Sequence, residues 1–280
     1  MSNHAPRVLS HTFRFACYAL LAAGLALLLA ACSETPQVAR PPIRLRLGDA
    51  AEQASVIDKL TEAYSQSHDW VTFVADELSS KDILDRIRND HLDLAVLPAT
   101  QDLASVRVWT SGLAYDALVI IVHPTNPIGD LSVAQVRDLF QGGYADWTSF
   151  GGTGEVIPVS REANAISRML FEERVMSGRA VTFNAVLKGS AHDVVDFVAQ
   201  TPGAIGYAAL SQVDDRVKVI ALDSVKPSST TAANGQYSLA SPLYLIARTE
   251  PTGDVREFAA WLLSDEGQSV LEQAQLGRVR

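Results

Sequence analysis

The chain has 280 residues, a formal charge of −9 and 48% hydrophobic residues. An acidic chain with scattered basic residues is a poor partner for nucleic acid, whose phosphates need clustered Lys and Arg. Its two cysteines, Cys17 and Cys32, exclude a disulfide framework and a CxxC metal site.

In chain order, Arg7 and Arg14 precede an apolar run, 15–29, about the length of a signal h-region. The run ends in Leu29-Ala30-Ala31-Cys32, which resembles a bacterial lipobox. Small residues suit the peptidase, and the Cys32 thiol is the nucleophile that takes the lipid. The competing reading is a transmembrane anchor, since 13–31 almost reaches the length that spans a bilayer. The polar Ser33-Glu34-Thr35-Pro36 that follows favours lipidation. Residues 1–31 are therefore expected to be a lipoprotein signal peptide, and 32–42 an acylated cysteine with a Pro-punctuated tether. Losing the leader removes two arginines and no acid, so the remaining chain is more acidic still.

Beyond the tether, 43–280 is long enough for one large core or two lobes. Residues 43–47 read as a strand and 50–64 as a helix, opened by Gly48-Asp49-Ala50-Ala51. Strand 71–74, helix 80–88 and strand 92–97 follow. This βαβαβ order predicts a parallel sheet with helices on its faces. An apolar strand at 117–122 precedes Ser132-Val133-Ala134-Gln135, a capping box opening a helix to Phe140. Val156, Ile157 and Val159 read as a strand, and Ile166, Met169 and Leu170 as one face of the next helix. Arg161 lies at the corner between them. Ser190 caps a helix over 191–199, strands recur at 204–207, 217–220 and 243–247, and 226–235 reads as a loop. Helices over 254–263 and 265–275 close the chain. Two α/β lobes joined at 115–123 and 242–248 would leave a cleft, the usual place for a ligand.

Enzyme signatures are scarce: there is no GxSxG, GxxxxGK[ST], HExxH or GxGxxG. His68, His91, His123 and His192 make no helical metal pair. What is present suits an oxyanion. Helix starts offer unpaired N–H groups, and three strand-to-helix corners carry small or polar residues: Gly48-Asp49-Ala50-Ala51, Ser79-Ser80 and Asn164-Ala165-Ile166-Ser167. Arg161 at the third corner can add a charge-assisted bond. Each residue also has a structural reading: Asp49 and Ser80 as helix caps, Arg161 in a surface pair.

From about 113 to 276 the chain resembles the phosphate-binding receptors of phosphate ABC transporters. The resemblance rests on AYDALVIIVHPTNPI (114–128), LSVAQVRDLFQGGYADWTSFGG (131–152), IPVSRE (157–162), TPGAIGYAAL (201–210), NGQYSLASPLYLIA (234–247) and LLSDEGQSVLEQA (262–274). It implies an α/β, two-lobed periplasmic binding protein fold of type II. Lobe 1 covers about 43–116 plus 241–280, and lobe 2 about 117–240. A monomer would hold phosphate or a related oxyanion between the lobes and deliver it to an ABC permease, without a cofactor and without catalysis. Its place would be the extracytoplasmic face of the cell envelope, anchored in the bilayer through Cys32.

Carried over residue by residue, the family's SRExGSGT pattern keeps Ser160, Arg161 and Glu162. Gly-Ser-Gly-Thr becomes Asn164-Ala165-Ile166-Ser167, with Ser167 in place of the threonine. Ser80 falls on the usual first-lobe serine. The GST-type first loop becomes Gly48-Asp49-Ala50-Ala51, where hydroxyls are lost and a carboxylate is gained. The implied contacts are Arg161 for charge, Ser80 and Ser167 for hydroxyl and N–H donors, and Ala50 and Ala51 for backbone N–H. Asp49 is either an acceptor for a protonated oxyanion or only a cap. The alternative is a lipoprotein that keeps the fold and serves a protein partner in sensing, assembly or surface display.

Overall fold

A computed structural model describes residues 40–50, 52–99, 103 and 106–279. The signal peptide, Cys32 and Ala51 lie outside the described residues. Strand β1 (Ile43–Ala50) pairs in parallel with β2 (Val71–Leu78) along its whole length, from Ile43 opposite Val71 to Ala50 opposite Leu78. Helix α1 (Ala54–Ser65) connects them and buries Val56, Ile57, Leu60 and Tyr64, one stripe at helical spacing. Helix α2 (Ser80–Arg88) leads to β3 (Leu94–Pro98), which pairs with the other edge of β1. The βαβαβ reading holds. The helix start does not: α1 begins at Ala54 after Gln53, so 48–50 finish a strand rather than open a helix.

The long strand β4 (Trp109–Val122) follows. After β5 (Asp130–Leu131), helix α3 (Val133–Phe140) starts at the Ser132/Gln135 capping box read from the sequence. Then come β6 (Ile157–Arg161), α4 (Ile166–Phe171), which continues into a π-helical turn, β7 (Val186–Lys188) and α5 (Ala191–Gln200), capped by Ser190. Strands β8 (Ala204–Ala209), β9 (Lys218–Val219) and β10 (Ala221–Leu222) precede α6 (Ser229–Ala233). That short helix stands where a loop is expected. Its Ser228 hydroxyl and Thr231 cap each other's backbone N–H, which stabilises one turn in a segment of weak helix formers. Strand β11 (Ala240–Ala247), helices α7 (Gly253–Leu262) and α8 (Asp265–Gln273) and strand β12 (Gly277–Arg278) complete the chain.

Among the described residues, ten strands join in one sheet ordered β2-β1-β3-β11-β4-β8-β6-β7, with β12 and β9 also on β4, while β10 pairs in parallel with β5 as a separate two-stranded sheet. β4 and β11 run antiparallel at its centre. The N-terminal part of β4 pairs with β11 and β12, and Leu118–Val122 with β8. β4 thus belongs to both halves of the sheet. Strand alternation divides the core between two faces. Leu94 and Val96 of β3 pack with Leu45, Leu47, α1, α7 and α8, whereas Ala95 and Leu97 join α2 and the β4-to-β8 half.

Candidate functional site

The β6–α4 corner is built from a strand that ends in a cation and a helix that starts without a cap. Arg161 is the last residue of β6 and is 3% exposed. Ala165 occupies the N-cap of α4 and offers no side-chain acceptor, so the first-turn N–H groups need a partner from elsewhere. Glu52 supplies it. From the turn between β1 and α1, its carboxylate accepts the Ser167 N–H at 3.0 and 3.1 Å and the Ser167 hydroxyl at 2.6 Å. Arg161 Nη1 donates to the same Oε1 at 3.1 Å. Glu52 is 5% and Ser167 1% exposed, so this is a buried, charge-assisted network that crosses between the two halves of the sheet.

The remaining donors of Arg161 are also engaged. Nε and Nη2 form a fork on Glu162 at 3.1 and 2.8 Å, and Nη2 reaches the Gly189 carbonyl at 3.2 Å. Burial works against the guanidinium's charge, but Glu162 and Glu52 outweigh it and push its pKa above the ordinary arginine value. Beneath it, the Tyr207 hydroxyl lies 2.7 Å from Ser160 Oγ and accepts the Arg161 N–H at 3.2 Å. Arg168 donates to Ser160 Oγ and to the Arg161 carbonyl, while Glu172 holds its Nε. These bonds fix the end of β6, so Arg161 is held in place rather than swinging on a loop.

An open depression of about 290 Å³ adjoins the corner, with Ala50, Glu77, Ser79, Ser80, Glu162 and Ile166 in its lining. Ser79, not Ser80, caps α2: its hydroxyl accepts the Asp82 N–H and donates to the Asp82 carboxylate at 2.7 Å. Ser80 stands one residue inside the helix, facing the same depression as Arg161. Ala50 contributes from the end of β1. Ala51 lies outside the described residues.

Asp49 is not a helix cap, because α1 starts five residues later and Gln53 holds the N-cap position. Strand alternation places it on the β1 face of Leu45 and Leu47, opposite to the face of Ala50. It is buried, and its Oδ1 has no partner among the described residues. Burial first, then the nearby carboxylates Glu77, Asp58 and Asp76, raise its pKa to about 7. A second buried carboxylate, Asp116 on β4, accepts from the Ser211 hydroxyl at 2.7 Å and from the Ala117 N–H. Burial lifts it to about 6 against those bonds, with a smaller upward push from Glu52. Asp116, Gln53, Ser241 and Ser167 line, together with Glu52, a second, small pocket of about 20 Å³.

The structure thus brings Arg161 and Ser167 into direct contact with one carboxylate, sets Ser80 and Ala50 on the adjoining depression, and leaves Asp49 on the other face of β1. Sequence reasoning missed Glu52. Its only signal was a second acid in the GDAAEQ junction before a helix, where carboxylates commonly favour a helix start.

The model of the PBP superfamily domain matches residues 37–266. Among curated relatives, a Bacillus subtilis phosphate-binding protein PstS is 30% identical over 158 residues, 56% of this chain and 52% of that protein. The chain therefore spans about half the length of the first such relatives it matches. A Borreliella burgdorferi phosphate-binding protein PstS aligns more broadly, at 18% identity over 81% of this chain and 87% of that one. Among solved structures, a Clostridium perfringens protein assigned as a phosphate ABC-transporter substrate-binding protein, with bound phosphate, superposes with a TM-score of 0.78. It is 23% identical and covers 85% of this chain and 100% of its own. An ABC-type phosphate transport receptor from Vibrio cholerae gives 0.70 at 23% identity, covering 84% and 100%. The chain belongs to the PBP superfamily, as a divergent relative of the PstS proteins.

Proposed function

We propose that this protein is a lipid-anchored solute-binding component of an ABC transporter, taking phosphate or a related oxyanion between two lobes. One observation carries the reading: the Arg161–Ser167 corner already holds an anionic oxygen through a guanidinium, a hydroxyl and a backbone N–H. That donor set is the chemistry an oxyanion requires. Lobe 1, about 43–116 plus 241–280, brings Ser80, Ala50 and Ala51; lobe 2, about 117–240, brings Arg161 and Ser167. The anchor is acylated Cys32 at the extracytoplasmic face, the delivery partner is a permease, and the receptor works as a monomer without catalysis.

A second reading is favoured by the same corner. Glu52 fills it, and Glu77 and Glu162 rim the depression, so the local field is far less positive than a dianion prefers. In this reading the fold is kept for a protein partner. Calorimetric titration of inorganic phosphate into the purified full chain, with sulfate and a phosphonate beside it, separates the two. A receptor gives saturable phosphate binding, weakened tenfold or more in Arg161→Ala, because a charge-assisted contact is worth roughly 1.5–3 kcal/mol. No heat with any anion from folded samples favours the partner reading.

A further inference from the structure

We propose that Glu52 is a tethered occupant of the oxyanion site: its carboxylate latches the two halves of the sheet together, and an external anion enters only by displacing it. This rests on the reading of the Arg161–Ser167 corner as the oxyanion site.

The geometry is that of a bound ligand. Arg161 ends β6 and Ser167 lies in the first turn of α4, whereas Glu52 comes from the β1–α1 junction. Its Oε1 alone receives the guanidinium, the Ser167 hydroxyl and the Ser167 N–H, and Oε2 shares that N–H at 3.0 Å. These donors cannot serve a phosphate oxygen and Glu52 together. With Glu52 and Glu162 both on Arg161, that buried cation is already neutralised by two carboxylates. An incoming dianion in an unaltered corner would therefore meet net negative charge. Once Glu52 swings out, the corner regains a guanidinium proton, a hydroxyl and an N–H.

Glu52 also performs a task that a local side chain usually performs. The N-cap of α4 is Ala165, so the first-turn N–H of Ser167 is served from a residue 115 positions away. Capping at that range ties the register of α4 to the position of β1. Release of the carboxylate frees the two halves at the same moment as it frees the site. The apparent dissociation constant is then the intrinsic one divided by the unlatched fraction. The device sets a concentration threshold below which the crevice remains occupied by its own side chain.

The test compares inorganic phosphate binding, by calorimetry, to the full chain and to Glu52→Ala, Glu52→Gln and the double variant Glu52→Ala/Arg161→Ala. Circular dichroism checks the fold, and small-angle scattering reads the ligand-free radius of gyration. The latch predicts phosphate affinity at least tenfold tighter in Glu52→Ala, as expected when less than about a tenth of the molecules are unlatched. That gain disappears in the double variant, and the ligand-free Glu52→Ala protein is more expanded than the parent. Glu52→Gln keeps the side chain's volume and an acceptor while removing its charge, and it also gains affinity. Equal phosphate affinity with and without Glu52, lost on Arg161→Ala, overturns the latch and leaves the oxyanion receptor standing. No phosphate binding in any folded variant, with Glu52→Ala still expanded, overturns the receptor and keeps the closing contact. No binding and no expansion overturn both.

Discussion

A guanidinium at 3% exposure is tolerable only with its charge answered, and Glu52 and Glu162 answer it. Asp49 is the opposite case, a buried carboxylate without a cation. Its pKa near 7 means that the native state binds a proton the unfolded chain has released. Between the unfolded value near 3.8 and about 7 the native state therefore holds more protons, and stability falls as pH rises through that window. The full shift would amount to about 4 kcal/mol at 1.36 kcal/mol per pH unit. Asp49 is 2% exposed, and the two pH units between 5 and about 7 carry roughly 2–3 kcal/mol of this. Asp49→Asn should abolish that slope. Urea unfolding at pH 5 and pH 8 should show the parent losing about that much more than Asp49→Asn. Identical losses would mean that Asp49 titrates as an ordinary aspartate.

At the scale of elements, the Ser79 hydroxyl is committed to the α2 N-terminus, accepting from Asp82 N and donating to its carboxylate. Ser79→Ala should cost about 1 kcal/mol of stability, the usual worth of an N-cap. Phosphate affinity should stay within about twofold, a change of less than half a kcal/mol, and Ser79→Thr, which keeps both the acceptor for Asp82 N and the donor to its carboxylate, should retain the parent's stability. A large loss of affinity with unchanged stability would make Ser79 a ligand contact instead. Caps of this kind are local, which is why Ser132/Gln135 and Ser190 could be read from the sequence and then found in place. The start of α1 was not legible, because Asp49-Ala50-Ala51 has the composition of a helix opening. The β1–β2 ladder overrides that preference by pairing through to Ala50 opposite Leu78. Arg161 at a strand end and Ser167 in the following helix follow from short-range pattern. Their meeting with Glu52 spans more than a hundred residues and leaves no periodic trace.

Across the whole molecule, the two halves share more than a crevice. β4 contributes one stretch to the β11 side and Leu118–Val122 to β8, with no break in the strand. The Tyr237 hydroxyl donates to the Leu118 carbonyl at 3.1 Å, at the point where β4 passes from one set of partners to the other. One buried cluster runs without interruption from Ile83 and Ile87 of α2 to Phe171 and Tyr207. An element pulled from either half therefore exposes apolar surface of the other, and such coupling makes unfolding all-or-none. Trp147 is fully buried in the β4-to-β8 half, its Nε1 donating to the Gly203 carbonyl. Trp70, Trp109 and Trp261 all pack with the other cluster. In Trp147→Phe, tryptophan fluorescence therefore reports one half alone, while far-ultraviolet circular dichroism reports both. The two urea transitions should coincide, with a lowered midpoint from the lost hydrogen bond and volume. A fluorescence transition displaced from the dichroism curve would show the halves unfolding separately, and the shared strand and cluster would then not couple them.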